Sequence, residues 1–243
     1  MSRTLRSAAM GARQIKRTPV LIGLLVALPA YLVGVFTIVA PDSRVAFELE
    51  GGETVRVTLT EVFPAFTTPM VAALLAGIAG LFLIQSTADA DARLVTAGYR
   101  PLEVVLARLA LLAGVSAIAT LVAVSVLRVA FAPDRLGWFA VAVLLTALIY
   151  GTIGVLVGTL LDRLPGVYLV LFGSMIDLFL FQNPMATETP AVARVAPGHY
   201  PLRLAMDAGF SGHVSLEPLA WSLAILAVYG ALAVAAFYRS VRA

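Results

Sequence analysis

Six long apolar segments dominate the pattern of hydrophobic and polar positions along this 243-residue chain. They cover residues 20–39, 62–88, 104–131, 136–161, 164–183 and 218–238. A hydrocarbon core about 30 Å thick requires roughly 20 helical residues, and a charge placed inside it is costly. The pattern therefore predicts an all-α polytopic membrane protein with six transmembrane helices, folded as a single membrane domain over residues 1–243.

The first connection, residues 45–59, alternates apolar and polar positions on both sides of a glycine-rich loop. This alternation predicts two short strands with one apolar face. A three-residue loop would place Phe47 opposite Val57. It would also place Glu48 opposite Arg56, an attractive cross-strand pair. We expect a small external β-hairpin, which is either a solvated loop or a contact for a substrate or partner.

The segment before the first span, residues 1–17, has basic and apolar residues on different faces of a helix. This spacing predicts an amphipathic helix on the membrane surface, with its cations facing lipid phosphates. The alternative is a basic anchor that is only partly helical.

The connection between the second and third spans is the most polar stretch on the side of the membrane where we expect the cytoplasm. Asp89, Asp91 and Arg93 have helical spacing, Gly98 can end that helix, and Pro101 can begin the next. We expect a short surface helix followed by a turn, against the alternative of an ordinary hydrophilic loop.

Two further features concern packing. Gly151, Gly154 and Gly158 in the fourth span permit close approach of a helix, from this chain or from a second copy. In the longest connection, residues 184–217, a short helix can begin at Pro201 and continue through Asp207. A helix of this length cannot span a membrane, so it would lie in the interface or dip back into it.

Composition and charge agree with a membrane protein and set its orientation. Apolar residues make up 60% of the chain and charged residues 13%, and the mean hydropathy is +0.96. Eleven basic residues fall on the side of the two termini and six on the other side. The positive-inside rule then places both termini in the cytoplasm. We expect the protein in the plasma membrane. The net charge of +3 follows from this bias, so no nucleic-acid partner is expected.

Motifs for catalysis or nucleotide binding are missing from the sequence. The single lysine, Lys16, has no P-loop glycines before it, and neither an HExxH nor a GxSxG motif occurs. With no cysteine and only His199 and His213, a metal site is not expected. The sequence thus predicts neither an enzyme nor a bound cofactor.

Asp177 is the one acidic residue well inside a predicted span. An intramembrane carboxylate needs a partner and often marks a transport path, here with Gln182 and Asn183 near its mouth. The alternative is a structural anchor that accepts hydrogen bonds from Ser174 or from threonine or tyrosine hydroxyls.

The order of elements resembles the ABC type-2 permease family. The strings DARLVTAGYRPLEVVLAR and APGHYPLRLAMDAGF are similar to the coupling segment and to the segment before the last span in that family. The resemblance implies the transmembrane subunit of an exporter, dimeric with a second copy or a paralogue, that moves a hydrophobic or amphiphilic substrate. It implies a separate ABC ATPase that binds ATP and Mg. The implied residues are Asp89, Asp91, Arg93, Tyr99, Arg100 and Glu103 for contact with the ATPase, Asp177, Gln182 and Asn183 along the path, and His199 and Tyr200 in an external lid.

Two other classes remain open at this point. A proton-coupled secondary transporter would use Asp177 as its titrating group, although no inverted repeat is evident. A membrane scaffold that transports nothing would need only the spans and a partner surface.

Overall fold

The computed structural model describes residues 27, 29–35, 38–39, 41–49, 54–186, 191–211 and 214–242. The predicted surface helix at residues 1–17 lies outside these residues, as does most of the first predicted span. Within that span, residues 29–35 and 38–39 are helical.

The described chain is mainly helical. Its elements are β1 (Arg44–Glu48), β2 (Thr54–Thr58), α1 (Leu59–Gln85), α2 (Ala88–Thr96), α3 (Pro101–Ala130), α4 (Leu136–Leu160), α5 (Arg163–Met175) with a π-helical continuation (Ile176–Phe181), a 3-10 helix (Ala191–Val195), α6 (His199–Phe210) and α7 (Glu217–Arg242). Among the described residues, α1, α3, α4, α5 with its continuation, and α7 are long and apolar enough to cross a membrane. These five helices correspond to the second through sixth predicted spans and are typical of a membrane protein.

Helices α1 and α4 form the centre of the bundle through a backbone contact between glycines. A Cβ atom at Gly154 would overlap the carbonyl oxygen of Gly77, and one at Gly80 would overlap that of Gly151. Only glycine permits this approach, which replaces side-chain packing by direct backbone contact. The close packing predicted for the fourth span therefore occurs within this chain.

The predicted hairpin is present, but its register differs from the prediction. The strands pair antiparallel with Phe47 opposite Val55 and Ala46 opposite Arg56. The predicted register, with Glu48 opposite Arg56, is therefore wrong by two residues. A shift of two residues keeps every side chain on its face, so the alternation that predicted the strands could not determine the offset.

Packing on the rest of the protein explains which register is adopted. The ring of Phe47 lies edge-on to Phe210 of α6, with centroids 5.4 Å apart. The ladder ends at Glu48, and Leu49 lies beyond it, buried in the main apolar core. Burial of Leu49 in the core thus replaces the additional cross-strand pair that the prediction gave it.

The turn between α2 and α3 agrees with the prediction. Gly98 has a φ of 90°, which favours glycine. The amide of Tyr99 donates to the carbonyl of Leu94, and that of Gly98 donates to Val95, the two bonds of a Schellman motif. Pro101 then occupies the first turn of α3, where its missing N–H has no cost.

Helix α6 is longer than predicted and is enclosed by the bundle. It begins at His199 rather than Pro201, because proline is tolerated within the first turn of a helix. Most of its residues are buried. The amides of Asp134 and Arg135 donate to the carbonyls of Gly209 and Ala208, which satisfies its last turn. The hairpin, this loop and α6 therefore meet at one end of the bundle, called here the hairpin end, opposite the α2 end.

Candidate functional site

The π-helix at the end of α5 positions a buried carboxylate at the hairpin end. Asp177 is 6% exposed and lies in the first turn of the π-helix. The amide of Gln182 donates to the carbonyl of Asp177 at 3.1 Å, the five-residue step of a π-helix. In an α-helix, residues five apart do not share a face, whereas this wider turn brings both side chains together.

Three donors from different parts of the chain hydrogen-bond to the carboxylate of Asp177. The hydroxyl of Tyr150, on α4, donates to Oδ2. The backbone amide of Gly198 also donates to Oδ2, at 2.9 Å, and Nε2 of Gln182 donates to Oδ1 at 3.1 Å. All three are neutral donors, an arrangement that satisfies a carboxylate without a cation. The hydroxyl of Ser174, a predicted partner, instead donates to the carbonyl of Val170.

Gln182 extends this network to α6. Its Nε2 also donates to the carbonyl of Ala193 at 2.8 Å, and its Oε1 lies 2.9 Å from Nδ1 of His199. Because an amide oxygen only accepts, Nδ1 of His199 is the donor in this contact. Asp177 and Gln182, predicted along a path, and His199, predicted in a lid, thus form one continuous group, called here the Asp177 network.

His199 is a neutral member of the network at physiological pH. Burial, together with the positive charges of Arg203 and Arg194, lowers the pKa of His199 from 6.5 to about 4. The imidazole therefore donates one hydrogen bond without adding a charge beside the network.

Two further predicted residues lie beside the network, and the ring of Tyr200 lies edge-on to that of His199, with centroids 4.9 Å apart. Oδ1 of Asn183 accepts from the amide of Met185 at 3.0 Å, a local turn contact. The ring of Tyr200 stacks on Trp221 of α7, with centroids 5.6 Å apart. Tyr200 therefore fixes α6 against α7.

A cleft of about 430 Å³ lies beside the Asp177 network. Its lining comes from the hairpin, the end of the π-helix, the 3-10 helix and α6, and it includes Gln182, Asn183 and His199. A volume of this size is within the range of small-molecule pockets.

The α2 end contains a second buried carboxylate, which is held by a cation. Asp91 is 1% exposed. Nη2 of Arg108 donates to its Oδ1 at 2.6 Å, and Nε donates to Oδ2 at 3.2 Å. The hydroxyl of Thr87 adds a third bond at 3.0 Å. This fork-shaped pairing of Arg108, on α3, with Asp91 fixes α2 against α3.

The other residues predicted to contact an ATPase lie in α2, in the turn after it and at the start of α3. Arg93, Arg100 and Glu103 are exposed, and Asp89 lies in the first turn of α2. Tyr99 is partly buried against an apolar cluster that includes residues of α1, α3 and α7. Of the residues predicted to contact an ATPase, Asp91 is therefore buried, whereas Arg93, Arg100 and Glu103 are exposed.

Some residues of these sites were not predicted from the sequence. Arg108 stands just inside an apolar span, and the cost of burying a charge is a signal that it needs an acidic partner. Tyr150 had a weaker signal, since a lone hydroxyl in an apolar helix has many possible partners. The amide of Gly198 had none, because backbone donors are present at almost every residue.

Comparison with known proteins adds no assignment to this geometry: the chain matches no protein-family model and no curated protein sequence. Within the part of the chain that the structure describes, no cluster of three or more histidine, cysteine, aspartate or glutamate residues could hold a metal ion.

Proposed function

We propose that this protein is the permease subunit of an ATP-binding cassette exporter, with six spans, both termini in the cytoplasm and the plasma membrane as its location. In this proposal, ATP and Mg bind to a separate ATPase, and the permease moves a hydrophobic or amphiphilic substrate outward. The observation that carries the proposal is the joint between α2 and α3, which combines a buried ion pair with exposed charges at Arg93, Arg100 and Glu103.

The α2–α3 joint is suited to transmit a push from a soluble partner. The Asp91–Arg108 pair is buried and has two hydrogen bonds, and the turn after α2 is closed by a Schellman motif. A force on α2 would therefore move α3, a membrane-length helix, rather than bend the connection. Asp91 acts here through Arg108, as a positioning residue, and not by touching the ATPase.

The surface that would meet the ATPase consists of the exposed residues Arg93, Arg100 and Glu103. Asp89, in the first turn of α2, and Tyr99, in the turn after α2, would complete the contact. Exposed charges of both signs favour a polar, specific contact with a soluble protein over a contact with lipid. The second permease copy, or a paralogue, would meet another part of the molecule. The exposed stripe of Leu164, Tyr168 and Phe172 on α5 is available for that copy or for lipid.

The Asp177 network serves in this proposal to hold the lid, α6, against the end of α5. A proton-coupled carrier is the competing function, with Asp177 as its titrating group. The three donors on Asp177 are neutral groups, each already directed at a carboxylate oxygen. This arrangement favours an anchor over a group that exchanges its proton in every cycle.

The experiment begins with purification of the tagged protein from its native membrane in mild detergent, followed by identification of co-purified chains. We expect an ATPase with a Walker A motif in about stoichiometric amount. In the reconstituted complex, the double change Arg93→Glu and Arg100→Glu should reduce ATP-driven transport about tenfold or more, because it reverses two charges at the contact.

Arg128→Glu is the matched control, since Arg128 is an exposed arginine at the hairpin end of α3. It should leave coupled transport unchanged. Normal coupling in the double variant would contradict the assignment of this surface. Transport by an ATPase-free preparation that depends on a pH gradient would replace the exporter proposal by the proton-coupled one.

A further inference from the structure

Two buried hydroxyls on α3 differ from the other buried hydroxyls of the long helices. Ser116 is fully buried and Thr120 is 6% exposed, and neither hydroxyl has a hydrogen-bond partner within the described residues. The other buried serines and threonines of the five helices long enough to cross a membrane each donate to a backbone carbonyl three or four residues earlier: Thr67, Thr68, Thr146, Thr152, Ser174 and Ser222. Because buried hydroxyls are normally hydrogen-bonded, Ser116 and Thr120 need another partner.

The two hydroxyls lie on the same face of α3, one helical turn apart. Residues four apart on a helix have their Cβ atoms about 5–6 Å from each other. A hydrogen bond between oxygen atoms spans about 2.8 Å. A single molecule with one oxygen atom can therefore bond to both hydroxyls at once.

The buried face of α3 has short side chains around this pair. Leu112, toward the α2 end, belongs to one apolar cluster, and Val124, toward the hairpin end, belongs to the main core. Between them, the buried residues of α3 besides the two with hydroxyls are Ala119 and Ala123. The short side chains favour a guest as small as a water molecule over a larger ligand.

We propose that Ser116 and Thr120 hold a structural water molecule inside the bundle, where α3 packs on α1 and α4. A hydroxyl can both donate and accept, so the water accepts a hydrogen bond from one side chain and donates one to the other. Buried waters commonly satisfy polar groups that have no partner in the protein. The site belongs to this chain alone, so it does not depend on an ATPase or on the direction of transport.

X-ray footprinting of the full-length protein in nanodiscs tests the proposal, because hydroxyl radicals formed from a bound water oxidise the side chains next to it. Mass spectrometry then maps the oxidised residues. We expect oxidation at Leu112 or Val124, one turn on either side of the two hydroxyls, although both side chains are buried. Leu81, a fully buried leucine of α1, is the control and should not be oxidised. Oxidation of Leu112 and Val124 no higher than that of Leu81 would overturn the proposal.

Variants show whether the hydroxyls hold the water. Replacing both, Ser116→Ala and Thr120→Val, should lower the oxidation of Leu112 and Val124 about tenfold, because the water loses both hydrogen bonds. Thr120→Ser keeps the hydroxyl and should be oxidised like the wild type. Unchanged oxidation in the double variant would show that other groups hold the water and would overturn the proposal. If the double variant does not fold, the wild-type footprint decides.

The unfolding equilibrium, measured by titration with SDS, gives a second readout. Ser116→Ala and Thr120→Val should each raise the unfolding constant about tenfold. The double variant should raise it little further, because the first substitution already weakens the shared water. Ser125→Ala is the control, at an exposed serine of α3 that donates to the carbonyl of Leu121, and should have little effect.

Two outcomes of this titration would contradict the shared water. An unchanged or lower unfolding constant in both single variants would mean that the hydroxyls had no partner to lose. Fully additive increases in the double variant would mean that each hydroxyl has a separate partner. Either result would overturn the proposal.

Discussion

Asp91 and Asp177 are buried aspartates at opposite ends of the bundle, and the protein stabilises them by different means. Asp91 meets a guanidinium and one hydroxyl, whereas Asp177 meets three uncharged donors. One cation can compensate a carboxylate almost alone, so the Asp91 contact involves mainly two neighbouring helices. Without a cation several donors are needed, and Asp177 therefore connects α4, α5 and the segment before α6.

The difference concerns what each end can do. The α2 end is a joint between two elements, which can transmit a displacement from one to the other. The hairpin end is a junction of three elements, which holds α6 and the cleft in place. Substitutions at the two carboxylates should therefore lower the free energy of unfolding by different amounts.

The largest effect is expected at the hairpin end. Asp177→Ala would leave the hydroxyl of Tyr150 and the amide of Gly198 buried without their acceptor. Each such group costs about 1–3 kcal/mol, so the free energy of unfolding should fall by about 4 kcal/mol. Titration with SDS in mixed micelles measures this value. Asp177→Asn keeps one acceptor oxygen and should cost less. Wild-type stability in Asp177→Ala would contradict the junction.

The next effect tests the joint at the α2 end. Arg108→Ala leaves Asp91 as an unpaired buried charge and should reduce the free energy of unfolding by about 3 kcal/mol. The double variant, with Asp91→Ala added, should recover part of this loss because no buried charge remains. Arg93→Ala is the control at an exposed arginine and should change stability by less than about 0.5 kcal/mol. A loss in Arg93→Ala equal to that in Arg108→Ala would show that burial of the pair is not the cause.

A smaller effect, on the pH dependence of stability, is expected from His199 at the hairpin end. The unfolded chain binds a proton at His199 below about pH 6.5, but the folded protein does so only near its pKa of about 4. The unfolded state therefore binds more protons in this window, and stability falls as the pH is lowered through it. Between pH 7 and 4.5, the free energy of unfolding should fall by about 2 kcal/mol more in wild type than in His199→Gln. The glutamine keeps an N–H donor but does not titrate. Parallel pH profiles for the two proteins would contradict this assignment.

The smallest effect concerns the turn that ends α2. Gly98→Ala places a side chain at a φ of 90° and should cost about 1 kcal/mol. Gly114→Ala is the matched control, since it is an exposed helical glycine of α3 with open space around it. Its stability should be unchanged or slightly higher. Equal losses of stability at the two glycines would contradict the role of the positive φ at Gly98 in the turn that ends α2.

Much of this architecture could be predicted because it depends on hydropathy and on local turn chemistry. The five membrane-length helices follow from runs of apolar residues, and the turn after α2 follows from Gly98 and Pro101. The hairpin faces follow from alternation, but its register depended on contacts of Phe47 and Leu49 with residues far along the chain. The local sequence pattern therefore predicts that the strands form, whereas long-range packing determines their register.

The candidate site shows the same division. Asp177 was identifiable by itself, because a carboxylate within an apolar segment is costly. A tyrosine hydroxyl was among its expected partners. Neither Tyr150 nor the amide of Gly198 could be singled out, since both are distant in sequence and each has only an ordinary donor. The π-helix was also hidden, because the segment Ile176–Phe181 consists of apolar residues apart from Asp177, as an α-helical span also would.

The junction at Asp177 depends on chain length as well as on residue type. If the same residues formed a regular α-helix, Gln182 would lie about 140° around the helix axis from Asp177. Gln182 would then point away from the carboxylate, and His199 would lose its connection to it. A relative of this protein with one residue fewer between the two positions could make the same contact from a regular α-helix, because residues four apart share a face.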